Sequence, residues 1–221
     1  MNSPTNIEQA RFKMIEQQIR PWDVLDAEIL QLLGAVKRED FVPTAHRALA
    51  FVDMDLPLDD GQSMLSPKLE ARLLQDLHVK KTDRVLEIGA GSGYMAALLA
   101  HRAAQVVTLE IKPALAELAR TNLRNAGIGN VDVRLGDGAK DATGLGSFDV
   151  ILLSGSVPSV PQELLALLKP GGRFAAIVGE EPVMRAHIVT RNADGTFTTE
   201  QPWDTIAPRL LNFPEPSAFK F

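Results

Sequence analysis

The chain contains no cysteine. Disulfide scaffolds, thiolate nucleophiles, Cys-x-x-Cys redox centres and Cys-ligated zinc are therefore excluded, while the absence says nothing about compartment. Long basic runs are also missing. The 23 Lys and Arg face 28 Asp and Glu, for a net charge of -5, so there is no electrostatic footprint for nucleic acid or an anionic membrane. Apolar clusters such as Met95–Ala100 and Phe174–Val178 fall far short of the ~20 residues that span a bilayer. The segment Met1–Trp22 breaks each short apolar run with Glu, Gln, Arg or Lys and holds no signal-peptide core, so a cytoplasmic location is expected. The histidines, His46, His78, His101 and His187, show no His-x-x-x-His spacing, and no metal site is expected. No Ser/His/Asp or paired-carboxylate constellation is visible.

What is present supports a packed core: 45% of the 221 residues are hydrophobic. Residues 4–19 predict a helix, with Ser3 as cap, Pro4 in the first turn and Ile7, Ala10, Met14 and Ile15 near one face. Asp26–Val36 predicts a second helix through Ile29, Leu30, Leu33 and Val36. Phe41–Pro67, with Pro43, Pro57 and Asp60-Gly61, reads as a long loop with short irregular pieces, and such loops are often functional. Ser66-Pro67 reads as the cap and first residue of a helix carrying Leu69, Leu73, Leu74 and Leu77. Apolar strands are then expected at Val85–Ile88, Val106–Leu109, Val131–Leu135, Val150–Leu153 and Phe174–Val178, separated by helices at Tyr94–Ala100, Pro113–Ala126 and Pro161–Leu168. This alternation predicts an α/β fold with a parallel sheet covered on both faces. Ala186–Thr190 and Thr196–Glu200 flank Asp194-Gly195, a hairpin signal for an antiparallel edge.

The most informative stretch is Val85–Tyr94, a strand that runs into Gly89, Ala90, Gly91, Ser92 and Gly93 and then into a helix. Glycines there permit a sharp turn and close approach of a ligand to unpaired helix amides. Glu110 ends the next strand, where a ribose would present its hydroxyls. Gly136-Asp137-Gly138 follows the strand after that and could meet an adenine amino group. The loop reads GxGxG rather than the dinucleotide GxGxxG, and Glu87 precedes its first glycine by two positions. That carboxylate suits a cationic sulfonium with an ammonium better than a pyrophosphate. S-adenosylmethionine is therefore expected in preference to NAD.

The glycine loop with Glu110 resembles the first motifs of class I S-adenosylmethionine methyltransferases. Lys37–Pro43, Ala50–Asp53, Gly61–Pro67, Gly136–Gly138 and Phe148–Ile151 resemble, in order, the blocks of protein-L-isoaspartate O-methyltransferases. The resemblance covers roughly residues 14–210, and the Gly61-Gln62 to Pro67 block is its specific part. It implies a doubly wound, mostly parallel Rossmann-like methyltransferase sheet with an antiparallel C-terminal edge and an N-terminal helical extension. Residues 1–66 would supply the helices and the substrate and cofactor loop, and 67–221 the S-adenosylmethionine-binding core, within one structural domain. By the same resemblance the cofactor-binding residues would be Gln62, Ser63, Met64, Glu87, Gly89, Ala90, Gly91, Gly93, Glu110, Ile111, Asp137 and Gly138, with Glu110 at the ribose and Asp137 and Gly138 at the adenine. A departure is also implied, because Leu65 stands where these enzymes usually carry an active-site serine. The catalytic candidates are thus Ser63, Leu65 and Ser66, although Ser66 also reads as a helix cap.

An isoaspartyl carboxylate has a reference pKa near ~4, so it is ionised at neutral pH and needs no general base. The leading expectation is methylation of isoaspartyl proteins or peptides as a first step of repair, with no nucleic-acid or membrane partner. Two alternatives stand beside it: another acceptor on the same fold and cofactor, or a non-catalytic S-adenosylmethionine-binding module.

Overall fold

The computed structural model describes residues 4–215; the Ser3 cap lies outside them. The chain starts with α1 (Pro4–Met14), which continues as a widened helical turn through Ile19 and a tight turn, Arg20–Trp22. The latter ends at Asp23 in the left-handed region, φ 58. In α2 (Ala27–Ala35) the Asp26 carboxylate caps the first turn, accepting from the N–H groups of Glu28 (2.8 Å) and Ile29 (3.3 Å). The expected long loop holds short helical turns and one small hairpin, β1 (Leu56–Pro57) with β2 (Ser63–Met64). α3 spans Pro67–Leu77.

The remaining elements are β3 (Arg84–Ile88), α4 (Tyr94–Arg102), β4 (Gln105–Glu110), α5 (Pro113–Asn125), β5 (Val131–Leu135), β6 (Phe148–Val157), α6 (Gln162–Leu165), β7 (Leu168–Glu180), β8 (Val183–Arg191), β9 (Phe197–Glu200) and β10 (Asp204–Thr205). The main sheet has the order β10-β8-β7-β6-β3-β4-β5, with β9 also paired to β8. The strands from β7 to β5 along this order run parallel, and β8 is antiparallel to β7. The chain moves outward from β3 to β5 and returns to β6 on the other side of β3. This reversal leaves a crevice beyond the carboxyl ends of β3 and β6.

Side chains alternate across the sheet. Val85, Val150, Leu152, Ala175 and Ile177 face one apolar cluster shared with α1 to α4 and with Leu115 and Leu123 of α5. Leu86, Ile88, Ile151, Leu153 and Phe174 face the other. That second face is more thinly covered than expected, by α6, Ala142 and the C-terminal Leu210 and Phe213.

The helix expected at Pro161–Leu168 is only Gln162–Leu165. Pro170 disfavours helical geometry at Lys169, and Leu168 instead pairs with Phe148 at the start of β7. The predicted hairpin forms, with Arg191 opposite Phe197. No helix among the described residues is long and apolar enough to cross a membrane.

Candidate active site

The glycine loop leaves β3 at the crevice. Gly89, Gly91 and Gly93 have φ of 92°, 51° and 84°, a region where side chains beyond glycine are strained. At Gly93 a Cβ would also come within 3.2 Å of the Ala119 backbone, so this glycine sets the contact between α4 and α5. Glu110 ends β4 beside the loop and is buried. Its Oε2 accepts from the Gly91 N–H at 2.8 Å and its Oε1 from the Lys112 N–H at 3.0 Å.

Two adjoining cavities open from this loop. One is lined by Gln62, Gly89, Glu110, Ile111, Asp137 and Gly138 from the predicted set. Gly138 must be glycine there, since a Cβ would lie 2.2 Å from Ile88 Cγ2. The second cavity is lined by Ser63, Met64, Leu65, Gly89, Ala90 and Gly91, again from the predicted set, together with Ser154 and Glu70.

Three predicted residues line neither cavity. Gly93 packs on α5. Glu87 lies beneath the loop, fully buried, and its Oε1 accepts from the Ser154 hydroxyl at 2.7 Å while Oε2 has no partner. Ser66 sits at the N-cap position of α3, but its hydroxyl makes no capping bond. A cap hydroxyl would take the N–H of Lys68 or Leu69, but the Leu69 N–H donates to the Ser66 carbonyl at 3.1 Å, while the Ser66 backbone N–H is held by Asp55 Oδ1 at 2.8 Å. The expected hydroxyl cap is therefore corrected: the helix boundary is right and the bond that was to make it is absent.

Sequence reasoning missed the C-terminal segment. Leu210, Leu211 and Phe213 line the first cavity. Leu210 Cδ2 would be 3.0 Å from a Cβ on Gly89, and the Leu210 N–H donates to Ser156 O at 2.9 Å. Asn212 Nδ2 donates to Asp137 Oδ2 at 2.9 Å. It also missed Arg38, fully buried, which is ion-paired with Glu70 and donates to Leu65 O at 2.6 Å and Ala50 O at 3.1 Å. The Arg-Glu-Asp sequence at 38–40 resembled a family block, but nothing local showed that Arg38 turns inward.

Burial pushes the Glu87 carboxyl up from 4.5 to about 8, against the pull of the Ser154 hydroxyl. The folded chain then keeps a proton that the unfolded chain releases. This group's contribution to stability is full below pH 4.5 and is lost as pH rises through about 8. Paired thermal melts are expected to show the natural protein losing stability relative to Glu87→Gln across that window. Parallel curves would mean that Glu87 is ionised in the fold.

A glycine loop, an acid ending the next strand and an acid after the third strand, gathered where the strand order reverses, define a Rossmann-like protein of the class I methyltransferase type. A family model for protein-L-isoaspartate(D-aspartate) O-methyltransferase matches residues 9–206. The protein-L-isoaspartate O-methyltransferase of Koribacter versatilis is 37% identical over 183 residues, 83% of this chain and 82% of its own. That of Methanoculleus marisnigri is 40% identical over 76% of this chain and 77% of its own. A Plasmodium falciparum protein named as a protein-L-isoaspartate O-methyltransferase, crystallised with S-adenosyl-L-homocysteine, shares the fold. Its TM-score is 0.75 at 19% identity, covering 90% of this chain and 96% of that one. The chain belongs to the protein-L-isoaspartate O-methyltransferase family.

Proposed function

We propose that this chain transfers a methyl group from S-adenosylmethionine to the carboxylate of L-isoaspartyl residues in damaged proteins or peptides. The observation that carries the reading is the convergence of the glycine loop, Glu110, Asp137 and the Gln62–Leu65 loop on two adjoining cavities. The residues fit the cofactor: both Glu110 oxygens keep a free lone pair, and the wall at Gly138 admits no side chain. Glu110 would hold the ribose, Asp137 and Gly138 the adenine, and Gly89 to Gly91 the methionine end. When bound, the cofactor supplies an activated methyl on a cationic sulfur. The acceptor carboxylate arrives ionised, so the chain's own task is alignment, and positioning of this kind can supply ~7–11 kcal/mol of a barrier.

A second reading, another acceptor on the same fold, is favoured by one observation: Leu65, buried and apolar, lines the cavity where the acceptor would sit. It offers no donor. The Ser154 hydroxyl is committed to Glu87 and Ser66 lines neither cavity, so within the Gln62–Leu65 loop Ser63 is the hydroxyl at the site, beside those of Ser92 and Tyr94 on the opposite wall. Labelled-methyl transfer to an isoaspartyl peptide, against its aspartyl counterpart, tests both readings. The natural protein is expected to methylate the isoaspartyl peptide weakly. Leu65→Ser should raise kcat/KM by about tenfold or more, the worth of one hydrogen bond to a charged group, while Ser66→Ala changes little at matched folded fraction. No isoaspartyl transfer by either protein, with transfer to some other acceptor, would favour the second reading.

A further inference from the structure

The chain contains three Asp-Gly steps, at Asp60-Gly61, Asp137-Gly138 and Asp194-Gly195. At such a step the glycine amide nitrogen can attack the aspartate Cγ. A C–N bond forms, the carboxyl hydroxyl leaves as water with the amide proton, and a five-membered succinimide results. Water then reopens the ring, and attack at the α-carbonyl leaves the chain running through the side chain as isoaspartate. One water is lost and one gained, with no oxidant or co-reactant. Glycine is the most permissive following residue because it has no Cβ to block the approach. The reaction needs a carboxyl that is free to swing onto the amide and able to take a proton.

The fold treats the three steps differently. Asp137 Oδ1 accepts from the Ala139 N–H at 3.0 Å, and its Oδ2 is held by Asn212 at 2.9 Å and Lys140 at 3.2 Å. Burial works against the charge there, but the Asn212 amide, the Ala139 N–H and the Lys140 ammonium hold the carboxyl below its usual range. Asp194 Oδ1 accepts from the Thr196 hydroxyl at 2.7 Å and the Thr196 N–H at 3.0 Å, and these bonds lower its carboxyl in the same way. Asp60 is exposed, as Asp194 is, but unlike the other two its carboxylate makes no hydrogen bond or ion pair among the described residues. Its backbone is left-handed, φ 57 and ψ 28, a conformation costing about 1–2 kcal/mol for an L-residue. Gly61 has φ 70, and the space where its Cβ would stand is open.

We propose that Asp60-Gly61 is a spontaneous modification site of the folded protein, the Asp-Gly step at which the chain itself converts to isoaspartate. The change lengthens the backbone at position 60, two residues before Gln62. That residue's N–H donates to Asp59 O at 3.2 Å, its carbonyl accepts from Leu58 N at 2.8 Å, and it lines the first cavity. The loop at the cofactor site is therefore the part of the molecule that ages. This inference does not depend on what the chain methylates.

The test is prolonged incubation of the full chain at mildly acidic pH in heavy-oxygen water, followed by peptide mapping, because each succinimide opening installs one labelled oxygen. In the native protein, label in the peptide carrying Asp60-Gly61 is expected to exceed that at either other step by about fivefold or more, since charge-assisted hydrogen bonds restrain the competing carboxylates. In concentrated urea the three steps should level, because the dipeptide is the same. Asp60→Glu should remove the label from that peptide while the native fold persists by circular dichroism. Equal labelling of the three steps in the native protein, preference for Asp137 or Asp194, or no label at Asp60 would overturn the proposal.

Discussion

Replacing Glu110 by alanine is expected to weaken S-adenosylhomocysteine binding by about tenfold to more than a hundredfold, the equivalent of about 1.5–3 kcal/mol for a lost hydrogen bond to a charged group. Read from the sequence, Glu110 is a strand-end carboxylate with a ribose to hold and little part in folding. In the structure it is 4% exposed and binds the backbone of Gly91 and Lys112. The substitution removes the proposed ribose acceptor and also releases the glycine loop from β4, leaving two backbone donors without their partner. Lower thermal stability in the absence of ligand should therefore accompany the lost affinity. Glu110→Gln keeps the shape and one acceptor oxygen, so it should recover part of the loop order and less of the affinity. Calorimetry together with ligand-free melting separates the two effects. Unchanged affinity in a folded alanine variant would place the ribose elsewhere.

The largest effect on stability is expected at Arg38. Its guanidinium is fully buried, 5.1 Å from the Tyr94 ring centroid, and it joins Glu70 at the start of α3 to the carbonyls of Leu65 and Ala50. Arg38→Met leaves the Glu70 carboxyl buried at 3% exposure without its cation, and breaking a buried pair from one side typically costs about 3–5 kcal/mol. Removing both partners, as Arg38→Met with Glu70→Leu, should recover much of that loss, because apolar replacement of a whole buried pair is often neutral. Urea midpoints of the two variants decide the matter. A single variant as stable as the natural protein would show that the pair contributes nothing. The double variant should still perturb methyl transfer, since the Leu65 carbonyl loses its anchor.

Much of the architecture was legible locally. The inner strands β3 and β6 read as largely apolar runs because both of their faces are buried, whereas the edge strand β5 carries Asp132 and Arg134 and is half-buried to exposed. The second helix shows itself through Ile29, Leu30, Leu33 and Val36 at helical spacing. Gly89, Gly91 and Gly93 mark the site because their positive φ excludes other residues. Asp194-Gly195 forms the hairpin turn through bonds to a residue two positions away. The turns and glycine conformations are settled within a few residues, which sequence spacing reports directly.

Sequence by itself therefore determined the alternation of strands and helices, the edge at which a nucleoside could bind and the departure at Leu65. Only the tertiary structure decided which groups complete that edge. Asn212 reaches Asp137 across 75 positions and Arg38 reaches Glu70 across 32, separations over which no periodicity or motif carries information. The pairing of Leu168 with Phe148 that helps end α6 early has the same origin. A polar group takes its partner from whatever the sheet order brings beside it, and that order follows from burying both faces of the sheet at once.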